Sequence, residues 1–184
     1  MALAPVLPVA EGYPELPNRE GHEYLDGRWV KIPMGAESAW VAFQLLKQLD
    51  TFVATYHLGV VLQTETPVQI WPEYPRRFRK PDGAFVSLGK LPGDRVPVGM
   101  VQVPPDLVIE SLSPTDRGED IDQKIAEYFD AGVRLVWVLV PRTRTVHVHR
   151  PDGTAARLSE RDTLTGEDIV PGFTVSVASL FQRP

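Results

Sequence analysis

Between Asp106 and Val140 the chain spells out a strand, a helix and a second strand in one run, and no other stretch narrows the possible folds as much. Leu107-Val108-Ile109 is a short apolar run of the buried-strand type, closed by Ser113-Pro114-Thr115-Asp116. Ile121, Ile125, Tyr128 and Phe129 follow at three- and four-residue spacing, the mark of one buried helix face. Gly132 ends that helix before Leu135-Val136-Trp137-Val138-Leu139-Val140. Such a βαβ crossover is right-handed and joins parallel strands, so the two strands are expected in one sheet with the helix over a face.

The flanking segments add to that sheet. Asp26-Gly27 between Glu23-Tyr24-Leu25 and Arg28-Trp29-Val30 predicts a two-residue hairpin, because a type I′ turn needs positive φ at both central positions. Ala42, Leu45, Leu46, Leu49, Phe52, Val53 and Tyr56 describe the buried face of a helix from about Ala36 to His57, with Gly59 as its stop. Two β-rich segments at 60–64 and 68–71, a strand at 84–86, a loop from Leu91 to Pro104, a hairpin at 146–158 and a short strand at 173–177 complete the reading. The fold class is a mixed α/β domain. Residues 1–20, rich in proline, read as an arm, and 21–184 as one domain.

Composition narrows the chemistry. With no cysteine among 184 residues, carboxylate and imidazole are the metal ligands left, and disulfides and thiolate nucleophiles drop out. The absence suits the cytoplasm, and no apolar stretch approaches membrane-spanning length. A net charge of −5 argues against a surface coated in positive charge for indiscriminate binding to nucleic acid. One basic run stands out, Arg76-Arg77-Phe78-Arg79-Lys80, read either as a solvated loop or as a local patch that steers a phosphate backbone.

Chemistry concentrates in two acids and one base. Asp82 in Lys-Pro-Asp-Gly and Glu110 at the end of its apolar run each abut a predicted strand, and Lys124 borders the apolar stripe of the crossover helix. Carboxylates from neighbouring strands can share a divalent cation, with an ammonium beside it to act on water or phosphate. Plainer readings exist for each. Pro-Asp-Gly is also a turn signature, used again at 151–153, and Lys124 can snorkel. Glu110 can be neutralised by an arginine such as Arg134. Asp106 shares the Glu110 face of the strand and either supports the site or begins the strand. His147 and His149 alternate on one strand face, yet zinc needs a third protein ligand and none lies near in sequence. Phosphate-cradling glycine loops, serine-hydrolase elbows and dinucleotide fingerprints are absent.

Taken with Leu25-Asp26-Gly27, Met34-Gly35-Ala36-Glu37-Ser38, Pro81-Asp82, the run from Pro105 to Pro114, Lys124 with Tyr128, Gly132-Val133, Trp137-Val138 and Val170-Pro171-Gly172-Phe173, these residues resemble the Uma-two family. That family is restriction endonuclease-like, a branch of the PD-(D/E)XK nuclease superfamily, and the resemblance runs from Tyr24 to Phe181. It implies a mixed β-sheet core flanked by helices with an N-terminal β-hairpin extension. It also implies that Asp82 and Glu110 are the metal-binding acids. The position two after Glu110 is Leu112, not the superfamily's lysine, so that role passes to Lys124. Glu37 is similar to an acid many members carry on the first helix, although a glutamate in a first turn also complements the helix dipole.

The expected activity is therefore Mg²⁺- or Mn²⁺-dependent hydrolysis of nucleic acid, DNA before RNA, in the manner of an endonuclease. Asp82, Glu110 and the Ser111 carbonyl would hold the ion, Lys124 and Glu37 would assist, and Arg76, Arg77, Arg79 and Lys80 would steer the backbone. No membrane partner is expected, and a two-fold homodimer is the default oligomer. The rival reading is a nuclease-like fold that binds nucleic acid or protein without cutting.

Overall fold

The computed structural model describes residues 21–25, 27–31, 35–71, 74, 77–114 and 116–182. The expected arm at 1–20 lies outside them. The chain enters through a hairpin, β1 (His22–Leu25) and β2 (Arg28–Lys31), paired so that Leu25 faces Arg28 across a two-residue turn. Gly27 takes φ +81°, the left-handed region that the turn demands; Asp26 is outside the described residues.

Helix α1 (Ala36–Tyr56) begins where the Ser38 hydroxyl accepts the Gly35 N–H at 3.1 Å and donates to the Gly35 carbonyl at 2.9 Å. Val41, Ala42, Leu45, Leu49 and Val53 bury its inner face. Gly59 does not stop it. The helix ends at His57 in the left-handed region, φ 52° and ψ 44°, where the N–H groups of His57 and Leu58 return to Ala54 and Val53 and close a Schellman motif. Gly59 is already the first residue of β3 (Gly59–Gln63), which pairs with β4 (Gly83–Ser87). A Cβ at Gly59 would lie 2.1 Å from the Val86 carbonyl oxygen, inside any allowed contact. Gly59→Ala is therefore expected to destabilise the fold by about 1–3 kcal/mol, read from the midpoint of urea unfolding.

The remaining elements are β5 (Leu107–Ser111), α2 (Gly118–Asp130), β6 (Leu135–Val140), β7 (Thr145–His149), β8 (Ala155–Leu158), β9 (Thr163–Thr165), β10 (Thr174–Ser176) and the short α3 (Val177–Leu180). Strands β3-β4-β5-β6-β7-β8 lie in that order in one sheet; β5 and β6 run parallel and every other neighbouring pair antiparallel. The βαβ expectation holds. The segment at 68–71 is not a strand: Val68 makes only isolated bridges, to Arg79 and Val101, while β9 pairs with β10 in a separate ribbon that the sequence reading did not anticipate.

Alternation along β5 and β6 divides the core. Leu107, Ile109, Leu135, Trp137 and Leu139 pack with α1, whereas Val108, Val136 and Val138 pack with Ile125 and Tyr128 of α2. Both clusters are closed off from solvent, so each face of the sheet is anchored by one helix. This is the mixed sheet flanked by helices, with an N-terminal hairpin, that the resemblance implies. Among the described residues no helix is long and apolar enough to cross a membrane.

Candidate active site

Strands β4 and β5 pair with Gly83 opposite Ile109 and Ala84 opposite Val108. Carrying that register one residue further sets Asp82 opposite Glu110, on the α2 face, where directly opposed side chains start about 5 Å apart at Cβ. Both carboxylates are buried, at 7% and 4% exposure, and both line one hollow of ≈ 360 Å³. The Ser111 N–H donates to Asp82 Oδ2 at 2.7 Å, while Oδ1 receives no hydrogen bond among the described residues. Asp82 is no exposed turn residue. The second Pro-Asp-Gly does what the motif suggests, with Asp152 accepting the Thr154 N–H at 2.9 Å at the surface.

Helix α2 supplies the rest. Lys124 Nζ lies 3.2 Å from Glu110 Oε2, and the Tyr128 hydroxyl donates to Glu110 Oε1 at 2.6 Å. These residues are one helical turn apart, so a single face of α2 grips both oxygens of one carboxylate. The hairpin adds Glu23, 1% exposed, whose Oε1 is 3.9 Å from Lys124 Nζ and accepts the Lys80 N–H at 3.0 Å. Arg79 donates to Glu23 at 2.7 Å and to Glu127 at 3.0 Å. Glu127, Arg79, Glu23, Lys124, Glu110 and Tyr128 thus form one continuous chain of buried and part-buried polar contacts. Sequence reasoning placed Glu23 only in a hairpin. Its burial depends on β1 folding back over α2, which no local pattern announces.

The charges are unevenly matched. Burial, reinforced by the charge of Glu110, raises the Asp82 pKa from 3.8 to about 7, against the opposing pull of the Ser111 N–H and Lys124. Burial works against the Lys124 ammonium, but Glu110 and Glu23 outweigh it and hold the group charged above its ordinary range. Burial and Glu110 also keep the Tyr128 hydroxyl protonated. Because the folded protein holds the Asp82 proton more tightly than the unfolded chain, that stabilising contribution is complete below 3.8 and is lost as pH rises through about 7. Asp82→Asn keeps the shape and removes the charge. In chelator it is expected to melt several degrees above wild type at pH 8, the gap closing by pH 5, as read by scanning calorimetry.

Other expected residues fall elsewhere. Glu37 lines a different hollow, with Trp40 and Arg142, and not the one shared by Asp82 and Glu110. Among the described residues, the basic run is not displayed as a steering patch. Arg79 and Lys80 are buried, Lys80 Nζ is 2.7 Å from Glu65, and Arg77 pairs with Glu127 at 3.1 Å and lies over the Trp71 ring. Charges so neutralised project little field into solvent; Arg76 is outside the described residues. Arg134 does not reach Glu110 and instead pairs with Asp168. Asp106 ties the start of β5 to Ser87 and Lys90. His147 and His149 have ring centres 6.3 Å apart, and among the described residues no set of three acidic or imidazole side chains forms a metal cluster.

The family described as “Putative restriction endonuclease”, Uma2, matches residues 10–178. The chain belongs to this family. A crystal structure from Anabaena variabilis, described as a “putative nuclease belonging to DUF820”, superposes with a TM-score of 0.76 at 19% identity, over 90% of this chain and 93% of that one. That likeness establishes a shared fold. No curated protein matches.

The donor set of this Uma2-family chain suits a hard divalent cation. Asp82 and Glu110 offer oxygen only, and Mg²⁺ is commonly held by one or two carboxylates with waters and substrate phosphates in the other positions. Asp82 and Glu110 face one hollow that Glu23, Asp116 and Asp120 also line, and the charge of Glu110 adds to burial in holding the Asp82 proton near neutral pH; a cation between the two would relieve that repulsion.

Proposed function

We propose that this chain is a divalent-metal-dependent nuclease that hydrolyses phosphodiester bonds, with DNA as the expected substrate. The observation that supports this most is the convergence on one hollow of Asp82, Glu110 and a Lys124 ammonium 3.2 Å from Glu110. Asp82 and Glu110 would hold the ion, with the Ser111 carbonyl as a further oxygen. A bound Mg²⁺ or Mn²⁺ supplies an acidified water and neutralises charge on the scissile phosphate.

The chain's own groups have separable duties. Tyr128 and Lys124 fix the Glu110 carboxylate from two sides, so its orientation is set before substrate arrives. The Ser111 N–H fixes one Asp82 oxygen and leaves the other facing the hollow. Lys124, held charged, stabilises negative charge that develops on the phosphate as the attacking water adds and the leaving oxygen departs with a proton. An ammonium from α2 thereby fills the role that Leu112 cannot. Membership of the Uma2 family, together with the nuclease description carried by the Anabaena variabilis protein, supports the same class of reaction.

The test is cleavage of plasmid DNA and of a labelled RNA by the purified chain with Mg²⁺ or Mn²⁺. DNA breakdown that stops in EDTA is expected. Binding without cleavage under every condition would replace this reading with that of a nuclease-like binding module.

A further inference from the structure

A second hollow, of ≈ 760 Å³, lies across the sheet from the carboxylates and is lined by Glu37 and Trp40 of α1 together with Pro141, Arg142 and Arg144 of the β6–β7 turn. The two hollows lie at the same end of the β5–β6 pair. Parallel pairing sets Ser111 beside Leu139, and Pro141 follows two residues later, about 7 Å further along the strand. The Ser111 hydroxyl donates to the Ser38 carbonyl at 2.9 Å, which brings the first turn of α1 against the residue next to Glu110.

This face differs from the buried basic run. Arg142 is exposed and makes no ion pair among the described residues, and Arg144, half exposed, pairs with Glu160 at 2.6 Å. Buried Pro141 and the left-handed Arg144 make the turn that presents them a stiff one. Trp40 is 40% exposed and Phe43 54%, large aromatic surfaces that a helix otherwise buries. Their rings sit 6.3 Å apart, and Lys47 Nζ lies over Phe43. Positions 40, 43 and 47 share one helix face, giving an aromatic and cationic stripe about 10 Å long that starts at the two guanidiniums. Among the described residues, Arg142, Arg144 and Lys47 set against Glu37 and the Arg144 partner Glu160 leave a single cation in excess.

We infer that this stripe is a docking track for a single strand of nucleic acid, with a phosphate on Arg142 and an unpaired base against Trp40. The inference rests on the nuclease reading and assigns it a substrate form. Forked guanidiniums match phosphate oxygens, and an exposed indole on a rigid helix stacks a base only when the base is free of a duplex. A polyanion rich in aromatic faces complements this surface in charge and in shape.

The test is fluorescence anisotropy with labelled oligothymidylate, its oligouridylate counterpart and a duplex of the same length, using the full chain in EDTA so that no cleavage intervenes. Wild type is expected to bind single strands better than duplex, and the DNA and RNA arms decide which sugar is preferred. Trp40→Ala and Arg142→Ala are each expected to weaken single-strand binding by about tenfold, and Arg142→Ala to reduce the slope of log K against log salt by about 0.7. Both side chains are exposed, and unchanged melting curves would verify that both variants fold. Unaltered affinity in both variants, or a wild type that binds no single strand, overturns the track. So does a wild type that is dimeric where Trp40→Ala is monomeric, because the stripe would then be a self-association face. Cleavage lost in Asp82→Asn while oligonucleotide affinity ignores Trp40 and Arg142 would remove the track and leave the nuclease reading intact.

Discussion

Asp82→Asn and Glu110→Gln are each expected to lower metal-dependent cleavage by on the order of a thousandfold or more, measured as initial rates on a labelled DNA with saturating Mn²⁺. Both substitutions keep volume and most hydrogen bonds: the new asparagine would retain an oxygen for the Ser111 N–H, and the new glutamine one for the Tyr128 hydroxyl. What disappears is negative charge, the property a hard cation needs. Mn²⁺ affinity by titration calorimetry should fall in parallel. Lys124→Ala separates ion binding from chemistry. It removes an ammonium 3.2 Å from Glu110 but deletes neither carboxylate that would hold the ion, so cleavage should drop by about a hundredfold with Mn²⁺ affinity retained or raised. Cleavage that persists in all three variants would place the reaction at another site or in a contaminant.

Arg79→Leu is expected to cost about 3–5 kcal/mol of folding stability, read from urea unfolding. Arg79 is buried between Glu23 and Glu127, and Glu23 is itself almost fully enclosed. Removing the guanidinium leaves a carboxylate inside the protein with only the Lys80 N–H and a more distant Lys124 for company. Burial opposes the Arg79 charge as well, yet Glu23 and Glu127 hold its pKa above the ordinary arginine range, so the group is charged at every accessible pH and the loss is independent of pH above the carboxylate range. The exposed pair of Arg134 with Asp168 is the control. Arg134→Ala should cost less than about 1 kcal/mol, since solvent screens both partners. Equal effects from the two changes would mean that the Arg79 network contributes no more than a surface pair. Cleavage by Arg79→Leu should also fall, because Glu23 and Glu110 jointly hold Lys124.

Local pattern carried the architecture a long way. Apolar runs at 107–109 and 135–140 with a crossover helix between them lead to one parallel strand pair, and Asp26-Gly27 to a hairpin, because periodicity and turn chemistry act over a few residues. Val68 to Trp71 has a strand's composition and forms none, since Pro67 and the partners available allow only single bridges there. The end of α1 near His57 was legible, but its cause was not: a Schellman closure depends on where the backbone turns, and Gly59, not histidine, carried the usual signal.

Residue order alone was enough to say which groups exist and which face of each element they occupy: two acids flanking apolar strands, one lysine beside an apolar stripe, and no thiolate ligand. What those groups meet was left to the packed fold. Two identical Pro-Asp-Gly tripeptides end as a buried carboxylate opposite Glu110 and a surface turn at Asp152. Arg77, Arg79 and Lys80 of the basic run are consumed by Glu127, Glu23 and Glu65, while Arg142 stays open to solvent. The difference is one of range: side-chain direction follows from neighbours a few residues away, whereas burial and charge pairing join positions as distant as Glu23 and Arg79, which the chain brings together only after the sheet, α2 and the hairpin have packed.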